Sequence, residues 1–399
     1  MLFRSILTTL SVLNNQFNST IPTEIGNLAQ LMEFDVRSNL LSGSLPSEIG
    51  RLTKLIILSI DINQITSTIP TDIGNLGELL VFTASANNIT GPIPSELGRL
   101  TSLVHLAVAD NSITSTMPTE LGNMEQLEIF FAYGNNLTGS LPSELGWLKR
   151  LNFLNTESNH ITGTIPTEFG NLSQLSEFSV YTNNITGPIP SELGRLTSLI
   201  YLYIYENQIN STIPTELGNL LQLSEFSVFT NKITGPIPSE LGRLISLISL
   251  VLDDNQINST IPTELGNLLQ LLYLSAENNG LTGSLPSELG HLTLLIGLAT
   301  GTNHLSSTVP TEYGRLQQLQ LISVYRNALT GALPTELGLL NNLTNLDLSA
   351  NHFNGTIPTE LALLSDLQYL NISVNQFTGT IPSALGQLDE LCKYLNGHC

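Results

Sequence analysis

The sequence predicts an α/β repeat fold of about sixteen coils, each of 24 residues with one short strand and one short helical turn. Two observations predict it. Sixteen of the nineteen prolines fall 24 residues apart, from Pro22 to Pro382, without insertion or deletion. In each repeat an apolar segment with period two precedes the proline, and a segment close to Glu-Leu-Gly follows it. Such a period is typical of stacked repeats, because a single coil cannot bury its own leucines.

The strand is predicted by leucines that alternate with polar residues, as Leu346 and Leu348 do before Pro358. The helical turn is predicted from the proline through the glycine and leucines that follow it. At the start of the chain, Leu10, Val12 and Asn15 occupy repeat positions. Residues 5–22 are therefore expected to be the second half of an opening coil with no cap before it. A short secretion signal over residues 1–13 is the alternative.

An asparagine lies seven residues before the proline in all sixteen repeats, from Asn15 to Asn375. At a strand end its amide can satisfy backbone groups of its own coil and of the neighbouring coil. This column predicts a buried ladder and not a catalytic row. The glycine four residues after the proline occurs in fifteen repeats and predicts a tight turn or a close approach of coils.

The chain is acidic, with 33 Asp and Glu against 13 Lys and Arg and a net charge of -20. This balance excludes a nucleic-acid surface. Fifteen of the acids stand two residues after a proline, from Glu24 to Glu360, and are expected to cap the helical turns. No apolar run approaches the roughly 18 residues of a membrane helix, so no membrane insertion is expected in this chain.

The consensus LxxLxxLxLxxNxLTGxIPxELGx resembles the plant-specific class of leucine-rich repeat, found in receptor-like ectodomains, cell-wall inhibitor proteins and microalgal repeat proteins. The resemblance covers residues 1–391. It implies a right-handed leucine-rich-repeat solenoid with a parallel β-sheet on the concave face, helical turns on the convex face and a second short strand in each coil. It also implies extracellular recognition by a chain that is secreted, or tethered to the cell surface by a segment not present here.

Residues 392–399 are predicted to be a C-terminal cap segment that contains Cys392 and Cys399. Caps of this family often end in a cysteine pair with similar spacing, so the resemblance implies a disulfide. Two free thiols are an alternative, and a metal site with His398 lacks its other ligands. A disulfide would place the chain outside the cytosol.

Ten N-x-Ser/Thr sequons are candidates for glycosylation in an extracellular chain. A repeat rich in Asn, Ser and Thr also generates sequons by composition alone. The candidates are Asn18, Asn88, Asn136, Asn171, Asn184, Asn210, Asn258, Asn342, Asn354 and Asn371.

Motifs for chemistry are missing from the sequence, which contains no GxGxxG, GxxxxGK[ST], HExxH, GxSxG or CxxC. His160, His304 and His352 share one column but lie six and two coils apart. At roughly 5 Å per coil they cannot share a metal. We therefore predict a protein that is not an enzyme and has no cofactor and no metal.

The outward positions of the strands between Glu128 and Asn278 hold aromatic residues and carboxylates, and no Lys or Arg. Such an apolar, anionic face suits a protein or peptide with basic character, or a stacked glycan. Aromatic residues also suit exposed strands without any ligand, which is the alternative explanation. The predicted ligand-binding residues are Tyr133, Glu157, Glu177, Tyr181, Tyr201, Tyr203, Tyr205, Phe229, Asp253, Tyr273 and Glu277.

A second surface offers another function. Thr-x-Thr pairs four and two residues before the proline, such as Thr114 and Thr116, resemble the threonine arrays of ice-binding solenoids. Pro92, Pro188 and Pro236 interrupt one of these columns. An ice-binding solenoid is therefore the alternative to a recognition module.

Overall fold

The computed structural model describes residues 6–388. They form two compact units, of which the first ends at Gln208 and the second begins at Ile209. Each unit is a stack of coils with the predicted 24-residue period, and the predicted repeat fold is confirmed. The predicted cap segment 392–399, with Cys392 and Cys399, lies outside the described residues, so the disulfide stays a prediction.

The main strands are three residues long, and within each unit they pair in parallel at a register of exactly one repeat, as in Thr9 with Glu33 and Ser249 with Tyr273. In the first unit they are Thr9–Ser11, Glu33–Asp35, Ile57–Ser59, Val81–Thr83, His105–Ala107, Ile129–Phe131, Phe153–Asn155, Glu177–Ser179 and Tyr201–Tyr203. In the second they are Glu225–Ser227, Ser249–Val251, Tyr273–Ser275, Gly297–Ala299, Leu321–Ser323, Asn345–Asp347 and Tyr369–Asn371.

The helical turns are five-residue 3-10 helices, each preceded by the repeat proline, and residues 6–388 contain no α-helix. In the first unit they are Thr23–Asn27, Ser47–Arg51, Thr71–Asn75, Ser95–Arg99, Thr119–Asn123, Ser143–Trp147, Thr167–Asn171 and Ser191–Arg195. In the second they are Thr215–Asn219, Ser239–Arg243, Thr263–Asn267, Ser287–His291, Thr311–Arg315, Thr335–Leu339, Thr359–Leu363 and Ser383–Gln387.

A second short strand is present in most coils, but the coil of Thr162 has only an isolated bridge to Ser140. In the first unit these strands are Ser42–Ser44, Gln64–Thr66, Thr90–Gly91, Ser112–Thr116, Asn136–Thr138 and Thr186–Gly187. In the second they are Thr234–Gly235, Gln256–Thr260, Gly280–Ser284, His304–Ser307, Ala328–Gly331, His352–Gly355 and Gln376–Phe377. Gln208–Ile209 contains the last residue of the first unit and the first residue of the second.

The core is built from the leucines of the consensus. In a typical coil Leu217, Leu220, Leu223, Phe226 and Val228 are all fully buried. Burying one such side chain contributes roughly 1.5–3 kcal/mol, which is why the apolar columns persist in every coil.

One apolar column of the core contains two polar residues. Thr156 and Thr300 occupy the positions that Val180 and Val324 fill in the neighbouring coils. Both threonines are fully buried, and their Oγ1 atoms have no hydrogen-bond partner. A buried hydroxyl without a partner is destabilising.

The asparagine ladder is confirmed. Asn183, for example, is buried, and its Oδ1 accepts a hydrogen bond from the backbone N–H of Ile161 at 2.9 Å. Its Nδ2 donates to the carbonyl oxygens of Thr156, Val180 and Tyr181, each at 3.1 Å. From Asn39 onward each ladder side chain thus satisfies backbone groups of its own coil and of the coil before it, whereas within residues 6–388 Asn15 bonds only in its own coil.

The residue just before each ladder asparagine has a left-handed backbone, with φ of 54° at Ile62, 52° at Asp254 and 48° at Arg326. This column was not predicted from the sequence. Left-handed backbone costs an ordinary L-residue roughly 1–2 kcal/mol, so the ladder hydrogen bonds must hold it in place.

The turn glycines lie where neighbouring coils approach closely, as expected. A β-carbon on Gly218 would lie 2.5 Å from the carbonyl oxygen of Glu240 in the next coil. The acids lie in the first turn of the helices, as predicted, but the prediction that they cap the turns by hydrogen bonds was wrong. In the described turns the Glu carboxylate accepts from the hydroxyl of the preceding residue, as from Thr215 to Glu216 at 3.2 Å, and no hydrogen bond joins it to a turn amide.

A second kind of contact between coils joins a threonine to a glycine 23 residues later. The γ-methyl group of Thr212 lies 2.6 Å from the position that a β-carbon on Gly235 would occupy. Serine has the same positive φ at Ser67, Ser115, Ser259 and Ser307, so the backbone alone does not require glycine. Glycine is required because the γ-methyl group of the threonine leaves no room for a side chain. The pairs are Thr20–Gly43, Thr68–Gly91, Thr116–Gly139, Thr164–Gly187, Thr212–Gly235, Thr260–Gly283, Thr308–Gly331 and Thr356–Gly379.

Candidate functional site

The strand face is the surface formed by side chains that point outward from the main strands and from the two residues after them. In the first unit four tyrosines lie together on it. The rings of Tyr181 and Tyr205 stack with centroids 4.2 Å apart and 12° between planes. Tyr203 lies 6.0 Å from Tyr201 and 6.4 Å from Tyr205, measured between ring centroids. All four side chains are half-buried.

The carboxylate of Glu157 affects the pKa of several neighbouring residues on this part of the face. Its Oε2 accepts a hydrogen bond from Ser179 Oγ at 2.9 Å. Burial raises the pKa of the Tyr181 hydroxyl, and a hydrogen bond to Glu157 raises it further. Burial, with the Glu157 charge second, also raises the pKa of Glu177 and of Asp110. No cation contributes to any of these shifts.

Further aromatic residues line the first unit beside these tyrosines. The ring of Phe131 lies 6.1 Å from Tyr133 and 6.5 Å from Phe153, between centroids. Burial raises the pKa of Tyr133, with contributions from Asp110, Glu157 and Asp61. We call Tyr133, Glu157, Tyr181, Tyr203 and Tyr205 the tyrosine cluster.

The second unit carries carboxylates that are half-buried on the same kind of face. Asp253 Oδ1 accepts a hydrogen bond from Ser275 Oγ at 2.6 Å. Glu277 Oε1 accepts one from Ser323 Oγ, also at 2.6 Å. Burial is the main cause that raises the pKa of both carboxyl groups. A cavity of about 430 Å³ opens here, lined by Asp253, Asp254, Glu277, Asn278, Thr302, Tyr325 and Arg326.

All eleven predicted ligand-binding residues lie on the strand face of one unit or the other. The structure brings Tyr133, Glu157, Glu177, Tyr181, Tyr201, Tyr203 and Tyr205 together in the first unit. In the second unit it brings together Asp253 and Glu277, whereas Tyr273 is 47% exposed and leans over Gly297. Phe229 is half-buried. Their role in binding stays a prediction.

Three residues of these surfaces were missed from the sequence. Tyr325 and Arg326 lie beyond Asn278, outside the predicted strands, although the same column rule applies to them. His105 was not predicted as part of this surface, but its ring packs edge-on to Phe131 at 6.1 Å, and its Nε2 is buried without a partner. Burial lowers the pKa of His105.

The comparisons with known proteins agree with the fold. The Leucine Rich Repeat family matches residues 150–172, 198–220, 246–268, 270–292, 342–364 and 366–388. The plant peptide hormone receptor RGFR1, solved in complex with RGF2, is 33% identical with a TM-score of 0.90, over 96% of this chain and 65% of that one. A TDR receptor is 32% identical with a TM-score of 0.91, over 96% of this chain and 66% of that one.

The ectodomain of the Arabidopsis receptor kinase HAESA, in complex with an N-terminally extended IDA peptide hormone, is 30% identical with a TM-score of 0.82. That match covers 94% of this chain and 67% of the receptor chain. This chain is a plant-type leucine-rich repeat protein. It spans about two thirds of the length of these receptor chains. No curated protein sequence matches it.

The threonine columns of this leucine-rich repeat protein are engaged in coil packing. The γ-methyl groups of Thr116 and Thr164 are directed at Gly139 and Gly187 of the following coils. Other residues, such as Pro92 and Ser140, alternate with threonine in this column, and only Thr356 and Thr380 lie in adjacent coils. No comparison bears on ice binding, which stays an alternative without support.

Residues 6–388 contain neither a metal-binding cluster nor a membrane-spanning helix. No group of three or more His, Cys, Asp or Glu side chains in this range is arranged to ligate a metal ion. None of its helical turns has the length and apolar character needed to cross a bilayer.

Proposed function

We propose that this leucine-rich repeat protein is a non-enzymatic, extracellular recognition module that binds an extended peptide of basic character on its strand face. The observation that carries the proposal is the tyrosine cluster. A half-buried carboxylate, Glu157, lies among aromatic rings, and no Lys or Arg within residues 6–388 forms an ion pair with it. Such a site has its highest affinity for a ligand that has both an apolar surface and a positive charge.

The similar structures support a peptide as the ligand. RGFR1 was solved with RGF2 and the HAESA ectodomain with an IDA peptide hormone, so two of the similar proteins bind peptides. The parallel main strands of this chain leave a face of repeated side-chain columns. An extended peptide can run across such columns and contact several coils at once.

An extracellular location is proposed on two grounds. The similar HAESA structure is a receptor ectodomain. Nine of the ten glycosylation candidates are exposed, and the tenth, Asn371, donates hydrogen bonds from Nδ2 to Asp347 and Tyr369. We propose that the nine exposed sites accept glycans and that Asn371 does not.

The test uses synthetic peptides in matched pairs, one with Arg or Lys and one with neutral isosteres at the same positions. We expect the basic member to bind more tightly to the parent protein. The Tyr203→Ala/Tyr205→Ala double variant should lose about tenfold or more in affinity, chiefly through faster dissociation. Glu157→Gln should slow association and weaken its dependence on salt.

The matched control is Tyr369→Ala, which removes an exposed tyrosine from the same strand-face column as Tyr201, outside the predicted residues. It should bind as the parent does. Parental affinity in the double variant would contradict the proposal, as would binding of oligosaccharides but of no peptide.

A further inference from the structure

The strand face of the second unit is interrupted by one coil with small outward residues. Gly297, Ala299 and Gly301 occupy the three outward positions that Tyr273, Ser275 and Glu277 hold in the coil before it. In the coil after it the same positions hold Leu321, Ser323 and Tyr325. Parallel strands lie about 4.8 Å apart, so this coil leaves a gap of about two strand spacings between larger side chains.

Two side chains from the flanking coils lean into this gap. A β-carbon on Gly301 would overlap the ring of Tyr325, whose Cδ1 would lie 2.5 Å away. From the other side, Glu277 reaches across the small coil to accept the hydrogen bond of Ser323 Oγ at 2.6 Å. An aromatic face and a carboxylate that start two coils apart therefore meet above Gly301.

The cavity of about 430 Å³ lies at this meeting point, and we call it the Gly301 recess. Asp253 and Glu277 are half-buried in its wall, and burial raises the pKa of each. Asp254 is exposed at the rim, where its left-handed backbone places it next to Asn278, which donates from Nδ2 to Asp254 Oδ1 at 2.6 Å. These acids form no ion pair within the described residues.

Arg326 lies at the rim on the Tyr325 side, and its exposed guanidinium forms no ion pair with the acids of the recess in the part of the chain described. The recess therefore combines two half-buried carboxylates and one rim carboxylate with a tyrosine ring, and its single positive charge lies at the rim beside that ring. A planar cation satisfies this arrangement, because it can stack on the ring and donate hydrogen bonds to two carboxylates at its edge.

We propose that the Gly301 recess binds the guanidinium group of an arginine side chain of the ligand, with Tyr325 against its face and Glu277 and Asp254 at its edge. The inference deepens the proposed function, on which it rests for the source of the arginine. It assigns arginine in preference to lysine, because an ammonium group lacks the planar face and the paired donors.

The probe is N-acetyl-L-arginine amide, titrated into the full chain and followed by ligand-observed NMR. We expect saturable binding at the recess, about tenfold tighter than that of the citrulline analogue, which keeps the shape and loses the charge. The lysine analogue should fall between them. Equal binding of the arginine and citrulline probes, or no saturable binding of arginine, would overturn the inference.

Three variants test whether the arginine probe binds in the Gly301 recess. Gly301→Ala adds a β-carbon that displaces Tyr325 without changing any charge, so it should weaken arginine binding. Its matched control is Gly77→Ala, at a glycine where no atom lies within 4 Å of the added carbon. Asp254→Asn should also weaken binding without touching the packed side chains. Arg326→Gln should strengthen it, because it removes the one repelling charge.

Weaker arginine binding in Arg326→Gln would overturn the inference, since it would mean that Arg326 holds the probe in place and does not repel it. Parental binding in both Gly301→Ala and Asp254→Asn would do the same. Circular dichroism melts of each variant report separately on folding. If the arginine probe binds but no basic peptide does, only the proposed function is overturned. If a basic peptide binds but the arginine probe does not, only this inference is overturned.

Discussion

The Oδ1 atom of Asn207 accepts a hydrogen bond from the backbone N–H of Ile185, 2.9 Å away in the preceding coil. The Nδ2 atom of the same side chain donates to the carbonyl oxygens of Val180, Ile204 and Tyr205 at 3.0, 3.3 and 3.0 Å. One buried amide thus serves four backbone groups of two coils.

We therefore expect Asn207→Ala to lower the free energy of unfolding by about 1–3 kcal/mol, because it leaves buried backbone groups without partners. Denaturant melts measure this loss. The control is Gln208→Ala, which truncates the exposed next residue and should melt close to the parent. Overlaid melts for Asn207→Ala and the parent would show that the ladder bonds do not stabilise the stack.

The unpartnered core hydroxyls predict a gain in stability. Thr156→Val replaces a buried Oγ1 that has no partner by a methyl group of similar size, in a column where Val180 already fits. We expect the variant to unfold at higher denaturant concentration, by about 1 kcal/mol. Thr197→Val, at an exposed threonine, is the control and should give no such gain. A destabilised Thr156→Val would mean that the hydroxyl has a partner in solution.

The contact between Thr212 and Gly235 predicts a coupling that a double-mutant cycle can measure. Gly235→Ser inserts a side chain where the γ-methyl group lies and should cost about 1–3 kcal/mol. Adding Thr212→Ser removes that methyl group, so the double variant should recover much of the loss. Costs that simply add would show that the glycine is needed for its backbone and not for space.

The pH dependence of stability should change in Glu177→Gln. Burial, and then the Glu157 charge, raises the pKa of Glu177 above its ordinary value of 4.5, so ionisation of this group opposes folding. The opposition is absent below pH 4.5, grows as the pH rises towards the raised pKa, and is complete above it. Because the side chain is half exposed, the variant should exceed the parent by less than about 1 kcal/mol at pH 7.

Thermal melts at pH 7 and at pH 4 test this difference. The gain should disappear at pH 4, where the parent carboxyl is protonated in both the folded and the unfolded state. Glu125→Gln, at an exposed glutamate of the same unit, serves as the control. A gain that persists at pH 4 would have a cause other than charge.

Features that depend on spacing could be predicted from the sequence. The proline period gave the register of the coils, the alternating leucines gave the main strands, and the asparagine column gave the ladder. Each of these needs only a residue type that recurs at a fixed position and has one physical use. The same column rule placed Tyr181, Tyr203 and Glu157 on one face.

Features that depend on the space between coils could not be predicted. The left-handed column contains Ile62, Asp254 and Arg326, which share no chemistry, so no residue type marks it. The Gly301 recess depends on how far Tyr325 leans towards the neighbouring coil. The capping prediction failed because the acid lies beside a Ser or Thr hydroxyl that donates to it.

Eight threonines of one column, from Thr20 to Thr356, face a glycine of the next coil, and this pairing limits how the chain can gain or lose coils. An in-frame loss of the single coil that holds Gly235 would bring Thr212 against Ser259, where a side chain occupies the space of the methyl group. An exchange that adds or removes two adjacent coils keeps every threonine beside a glycine. We therefore expect the chain to tolerate the gain or loss of two coils at any of these contacts, and of a single coil only where the next position in the column is also glycine, as Gly163 is after Gly139.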